Sequence, residues 1–270
     1  MTRVSVVIPT LCRPELRDLL SSLGLQRRRP DDVIIIYACE TARLRPLIED
    51  EPLPIQAYPQ RGVGVTGAVN QGLESAEGEI IVIIDDDAVA PSPLLLKYEE
   101  LLGRLPRAFA GACSRDILYE RDRGPVKGPD DSALVKLYRR LYVANLVRPY
   151  PGLEAFARGV FVDRGLRVRH GPCIPNGDCI SLPFRAVNMA LRKEAVDGLR
   201  LPEDRDLGAA RGFEQLLGVM LAAKGYLYAY TSGNPVYHLH HASISRSHRS
   251  EAEERAMRRY MAEALSRLNG

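Results

Sequence analysis

Near the start of the chain, hydrophobic positions come in runs rather than alternating with polar ones. Val4 to Ile8 is apolar but for Ser5 and is stopped by Pro9. Val33 to Tyr37 is a second run, and Ile80 to Ile84 is a third, closed by Asp85, Asp86 and Asp87. Continuous β-branched runs of this length predict strands covered on both faces, as in parallel sheets. Helical spacing separates them: Leu16, Leu19, Leu20 and Leu23 recur within Pro14 to Leu23, and Thr66 to Ala76 follows a glycine-rich turn. Strand and helix alternating over the first ~90 residues predicts an α/β fold on an open βαβ-type sheet. Ligands in such sheets sit at the carboxyl ends of the strands. Those ends carry Pro9 and Thr10, Ala38 to Glu40, and Asp85 to Asp87.

The pattern changes after Asp116. Arg121 to Asp131 is rich in Gly, Pro and charge and predicts a mobile loop. Ala133 to Val147 spaces Leu134, Leu137, Leu141 and Val143 helically, with Lys136, Arg139, Arg140 and Arg148 interleaved, so it predicts a basic amphipathic helix. Such a helix can dock on an anionic membrane surface or acceptor, or pack as a lid with its arginines in solvent. Further on, Glu214 to Lys224 predicts a helix, Tyr226 to Thr231 a strand, and Glu251 to Leu268 a charged helix that could pair with a second copy. The resulting division is 1–115, 116–182, 183–245 and 246–270.

Composition narrows the function. A chain of 270 residues, 46% hydrophobic, is long enough for a sizeable core. Its net charge of only +3 argues against a nucleic-acid partner. The start is not patterned as a signal peptide and no run approaches a membrane span, so a cytoplasmic protein, peripheral to the inner face of the membrane at most, is expected. The five cysteines (Cys12, Cys39, Cys113, Cys173, Cys179) lack CxxC spacing. Cys173 and Cys179 could close a small loop, but free buried thiols are the expectation in a reducing compartment.

The candidate chemistry starts with Asp85-Asp86-Asp87. Adjacent carboxylates at the end of a buried strand are costly to hold unpaired. A hard divalent cation, Mg²⁺ or Mn²⁺, would relieve the repulsion and bind a diphosphate; helix capping is the plainer alternative. Gln60 to Gly72 is a glycine-rich turn into a helix, able to cradle an anion on backbone N–H groups or to serve as a turn alone. Asn70 lies one turn inside that helix.

The order of these pieces carries more than any one of them. Val-Ser-Val-Val-Ile-Pro-Thr at the start, the glycine-rich turn with Asn70, and the strand closed by Asp85-Asp86-Asp87 resemble family 2 glycosyltransferases of the GT-A fold. Val187 to Glu194, Gly212-Phe213-Glu214-Gln215, Gly225-Tyr226 and Pro235-Val236-Tyr237-His238 continue the resemblance. It covers residues 3–115 and about 183–241 and leaves the middle stretch unmatched. It implies a mostly parallel, mixed open sheet flanked by helices, with a helical insertion.

It also implies roles. Pro9 and Thr10 would contact the base and ribose of a nucleotide-diphosphate sugar, Asp85 and Asp86 would lie on the donor, and Asp87 would hold the metal. His238 would complete the metal site or touch the diphosphate; His240, His241 and His248 lie close by in sequence. Asn188, Met189 and Arg192 fall on the acceptor side. Three departures stand out. Glu40 takes the place of the acid after the second strand. Val69 replaces the Arg before Asn70, so Arg61 is the compensating donor contact. The family's Glu-Asp pair reads Glu214-Gln215, which moves the general base to Glu214, with Asp204 and Asp206 as substitutes and a plain helix-terminal Glu as the alternative. The implied activity is metal-dependent, inverting transfer of a hexose-like sugar to a sugar, lipid-linked or small-molecule hydroxyl. The competing reading is a nucleotidyltransferase or a non-catalytic nucleotide-sugar binder. A nucleotidyltransferase would carry glycine and basic residues directly after the first strand, where this chain has Pro9-Thr10-Leu11-Cys12-Arg13-Pro14.

Overall fold

The first run forms β1 (Val4–Thr10), buried from Val4 to Ile8 in a computed structural model that describes residues 2–239 and 250–269. After α1 (Leu16–Gly24), β2 (Asp32–Tyr37) pairs with it in parallel, Ser5 against Asp32 through Thr10 against Tyr37. Then follow α2 (Thr41–Ile48), β3 (Ile55–Pro59), α3 (Gly64–Ser75) and β4 (Ile80–Ile83). β4 joins β1 on its other side, also in parallel. The short edge strand β3 is half exposed along its length and has no continuous apolar run to announce it. Each fully buried Val, Ile or Leu contributes about 1.5–3 kcal/mol, and the alternate faces of β1, β2 and β4 feed two separate cores. α3 lies so close on β1 that a Cβ at Gly72 would overlap Val7 Cγ1.

The second half of the sheet mixes directions. β5 (Ala88–Val89), α4 (Leu94–Arg104) and β6 (Phe109–Glu120) follow β4. The middle stretch holds β7 (Gly124–Pro125), α5 (Ala133–Tyr138), a π turn at Arg139–Val143, α6 (Ala144–Leu146), the hairpin of β8 (Val160–Val162) and β9 (Val168–His170), and β10 (Cys179–Ile180). The insertion is therefore part helical and part β. β11 (Met189–Arg192) inserts antiparallel between β4 and β6. After α7 (Lys193–Val196) and α8 (Phe213–Ala223), β12 (Leu227–Leu239) runs parallel to β6, with a register shift between Thr231 and Val236. The order is β10-β12-β6-β11-β4-β1-β2-β3.

Three expectations are corrected. The segment 121–131 is not a free loop: Asp130 pairs with Arg139 and Arg185, and Asp131 with Arg115. Cys12 pairs with Cys39, and Cys173 with Cys179, as disulfides; Cys113 alone is free. Parallel pairing of β1 and β2 sets the first two side by side, with Cα atoms 6.2 Å apart. The C-terminal helix α9 (Glu251–Ser266) buries Ala256, Met257, Met261, Ala264 and Leu265 against this chain's own core, so that stripe is not available to a second copy. No helix among the described residues is long and apolar enough to cross a membrane.

Candidate active site

A cavity of 1450 Å³ opens where β1, β2 and β4 end. Its floor is Pro9, Thr10, Ala38 and the three aspartates; Glu214 faces it from the first turn of α8, and Met257 and Met261 of α9 close another wall. The aspartates lie there because β4 is buried on both faces, so the chain turns polar only where the sheet ends. Thr10 Oγ1 donates to Asp86 Oδ2 at 2.6 Å and accepts from the Cys12 amide at 2.8 Å. Burial and then the charge of Asp87 push the Asp86 carboxyl up, against the Thr10 hydrogen bond. Asp85 is pushed up to about 7, first by burial and then by Asp87, with Asp86 and Glu214 adding to the push and His238 opposing it. This strand end gathers more negative charge than it neutralises.

His238 is set by β12, which pairs with β5 on one side and β6 on the other. Its Nε2 lies 3.2 Å from Asp87 Oδ1 and its Nδ1 2.9 Å from Asp116 Oδ2. Burial lowers its pKa, but the two carboxylates outweigh that and hold it at about 10, so the ring is a cation clasped between two anions. The chain of charges continues outward. Arg185 Nη1 donates to both oxygens of Asp116 at 2.6 and 2.7 Å, and its Nη2 to Asp130 Oδ2 at 2.8 Å. Asp130 also takes Arg139, whose Nη2 lies 3.1 Å from His170 Nδ1.

The carboxylates of Asp85 and Asp87 are hard oxygen ligands of the type Mg²⁺ and Mn²⁺ accept. His238, protonated with both ring nitrogens on carboxylates, would have to lose a proton and its contact with Asp87 before it could join them. Among the described residues no group of three His, Cys, Asp or Glu side chains is placed to hold a metal by itself.

Residues 5–150 match the model of glycosyl transferase family 2. The chain belongs to that family. Solved structures similar to it include residues 1–349 of S. aureus TarS in complex with UDP-GlcNAc, 14% identical, covering 97% of this chain and 66% of that one with a TM-score of 0.60. The mannosyltransferase PcManGT from Pyrobaculum calidifontis, in complex with GDP-Man and Mn²⁺, is 18% identical over 99% of this chain and 73% of that one, TM-score 0.58. Glucosyl-3-phosphoglycerate synthase from Mycobacterium tuberculosis, in complex with Mg²⁺ and UDP, is 18% identical over 99% and 80%, TM-score 0.54. At these identities the likeness shows the GT-A fold; the chain spans 60–66% of the TarS chains. No curated protein matches the sequence.

Within this glycosyl transferase framework, the structure brings Pro9, Thr10, Asp85, Asp86, Asp87, His238 and Glu214 to one cavity. It does not bring the rest. Asn70 faces away: its amide donates to Leu201 O at 2.9 Å and Glu203 Oε1 at 3.0 Å and accepts from the Leu201 amide at 2.9 Å. The anion on the glycine-rich turn is Glu203 itself. It accepts from the Val63 amide at 3.3 Å and lies where a Cβ on Gly62 would be. Arg61 is exposed and pairs with Glu74 at 3.3 Å. Glu40 caps α2 beyond the cavity rim.

Asn188 and Met189 are fully buried in the sheet, Asn188 bonded to Tyr98 at 2.5 Å and to Asn234 O at 2.8 Å. Arg192 sits at the far end of antiparallel β11, donating to the carbonyls of Leu102 in the last turn of α4 and of Leu105 just beyond it. Asp204 caps a turn and binds Arg259 and Tyr260. Neither Asp204 nor Asp206 lines the cavity. His240, His241 and His248 lie outside the described residues. Sequence reasoning missed Asp116 and Arg185; a buried acid in a strand and a lone Arg beside Phe184 are the signals they left.

Proposed function

We propose that this chain is a metal-dependent, hexosyltransferase-like enzyme that moves a sugar from a nucleotide-diphosphate sugar to an acceptor hydroxyl with inversion. One observation carries the reading: three mutually repelling carboxylates at a strand end share a cavity with a fourth, Glu214, presented from an opposing helix. Family membership supports it, as do neighbours in complex with UDP-GlcNAc, GDP-Man or UDP and with Mn²⁺ or Mg²⁺.

On this reading Pro9, Thr10 and Ala38 receive the base and ribose. Asp85 and Asp87 would hold the cation, which when bound would neutralise charge on the departing nucleoside diphosphate, and the cationic His238 beside Asp87 would face the same diphosphate. Arg13, 3.4 Å from Asp87, faces the same phosphates. Glu214 takes the proton of the acceptor hydroxyl as its oxygen forms the new bond to the anomeric carbon and the bond to the diphosphate breaks. A single displacement of this kind inverts the anomeric centre. Gln215 takes no proton. Its amide donates to Pro183 O at 2.8 Å and Phe184 O at 3.0 Å, fixing the segment that carries Arg185.

The test is a thermal-shift panel of UDP-, GDP-, TDP- and ADP-sugars with and without Mn²⁺, on wild type and Asp87→Ala. One nucleotide should raise the melting temperature only with Mn²⁺, and the shift should vanish in Asp87→Ala. A folded wild type that responds to none of them overturns the reading.

A further inference from the structure

The helical segment 133–146 is inside out. Leu134, Leu137, Tyr138, Leu141, Tyr142 and Leu146 recur at intervals of three and four, so they share one face. A surface helix of a globular protein turns that stripe inward. Here Leu134 is 78% exposed, Leu137 51%, Leu141 60% and Leu146 69%. Tyr138 and Tyr142 stack on the same face with ring centroids 5.1 Å apart. These six residues are more than half of the exposed large hydrophobics among the described residues. The buried face belongs to Arg139 and Val143. Arg139 donates to Asp130 and to Ile174 O at 3.1 Å, so an ion pair fixes the helix with its apolar stripe outward.

Charge says what the stripe meets. From Ser132 to Tyr150 the chain has no Asp or Glu, while exposed Arg140 and Arg148 and half-exposed Lys136 flank the leucines. We propose that this helix docks the protein in the plane of an anionic lipid bilayer, leucines in the headgroup–acyl boundary and basic side chains on lipid phosphates. Tyrosines suit that boundary, since each has an apolar body and a polar tip. A second copy fits worse, because two-fold pairing would set like-charged residues against each other. The docked face adjoins the cavity: Arg139 and Arg185 share Asp130, and Arg185 and His170 line the cavity. The docking itself does not depend on the transferase reading.

The full chain would be sedimented with phosphatidylcholine vesicles made with and without phosphatidylglycerol. It should bind the anionic vesicles, less so as salt is raised. Leu137→Glu with Leu141→Glu should abolish binding. Lys136→Glu with Arg140→Glu should weaken it by about tenfold or more, given the contribution of each basic residue near an anionic surface. All four positions are on the surface, so both variants should melt with wild type, which separates lost docking from lost folding. Failure of the wild type to bind either vesicle, or equal binding by the leucine variant, overturns the proposal. So does a dimer that dissociates on Leu137→Glu with Leu141→Glu while vesicles are ignored, which assigns the stripe to a second copy.

Discussion

Two walls of one cavity handle charge in opposite ways. At the end of β4, Asp85, Asp86 and Asp87 are consecutive carboxylates; Asp87 pairs with His238 and Arg13, while the carboxyls of Asp85 and Asp86 are pushed up. Beside it, linked through His238, Asp116, Arg185, Asp130 and Arg139 alternate in sign. Burial alone would raise Asp116, yet His238 and Arg185 hold it at about 2, and Asp130 lies below the usual carboxylate range for the same kind of reason. On the proposed function, the first wall would receive a cation with an anionic ligand. The second is already neutralised and serves to place His238 and the segment that carries Arg185. High local charge therefore does not by itself mark a reactive group; the sign of the imbalance does.

The sharpest way to break the comparison is to alter the two residues that adjoin at the start of α8. Glu214→Gln should lower kcat by roughly 10²–10⁴, while the metal-dependent thermal shift with donor stays as in wild type. Unchanged turnover would remove Glu214 from the reaction. Gln215→Glu, which moves the pair toward the family's Glu-Asp, should not raise activity. It sets a carboxylate against two carbonyls that now accept from the amide, costing about 2–4 kcal/mol and lowering the melting temperature. A more active Gln215→Glu enzyme would show that the family's base position is still functional.

A pH series of melting temperatures, without nucleotide or metal, should separate the walls. Asp85 and His238 have raised pKa values in the folded protein, about 7 and about 10. Their contribution is fully present below the unfolded values and is lost as pH rises through the folded ones, that of Asp85 by about pH 7 and that of His238 on the alkaline side by about pH 10. Asp116 and Asp130 are depressed, so theirs is present above about pH 4 and is lost as pH falls toward 2. His170, lowered chiefly by burial, adds an acid limb beginning below about 6.5. His238→Gln should flatten the alkaline limb and leave that early acid limb in place. An unchanged alkaline limb would mean that the clasp between Asp87 and Asp116 does not govern it.

What was legible follows the same division. Apolar runs at Val4 to Ile8 and Ile80 to Ile84 are local, and burial on both faces leaves such a run one reading. The carboxylates that end the second run were therefore found with their strand. Asp116 and Arg185 are 69 residues apart and meet only because the sheet sets β6 between β12 and β11. No spacing encodes that. The acceptor-side expectation failed for a related reason: Asn188 and Arg192 carry a family motif, but β11 runs antiparallel, which buries the first and carries the second to the far edge of the sheet. Helical spacing in 133–146 gave the stripe; which way the stripe faces is decided by Arg139, a buried cation whose partner Asp130 is nine residues earlier.

The smallest expected effect is also a clean test of sequence-level reasoning about the glycine-rich turn. Arg61 stood as the cation compensating for Val69, a phosphate contact by analogy. In the fold it points to solvent with Glu74, both side chains about 70% exposed, and the anion on the turn is Glu203. Exposed pairs of this kind contribute about 0–1 kcal/mol. Arg61→Ala should leave the donor's metal-dependent thermal shift and its KM within about twofold of wild type, and shift stability by less than about 0.5 kcal/mol. A tenfold loss of donor affinity in a variant that melts normally would mean that the turn opens when donor arrives, Glu203 yielding its backbone amide to phosphate. That would make the turn, whose Gly64 and Val65 already line the cavity, part of the donor site.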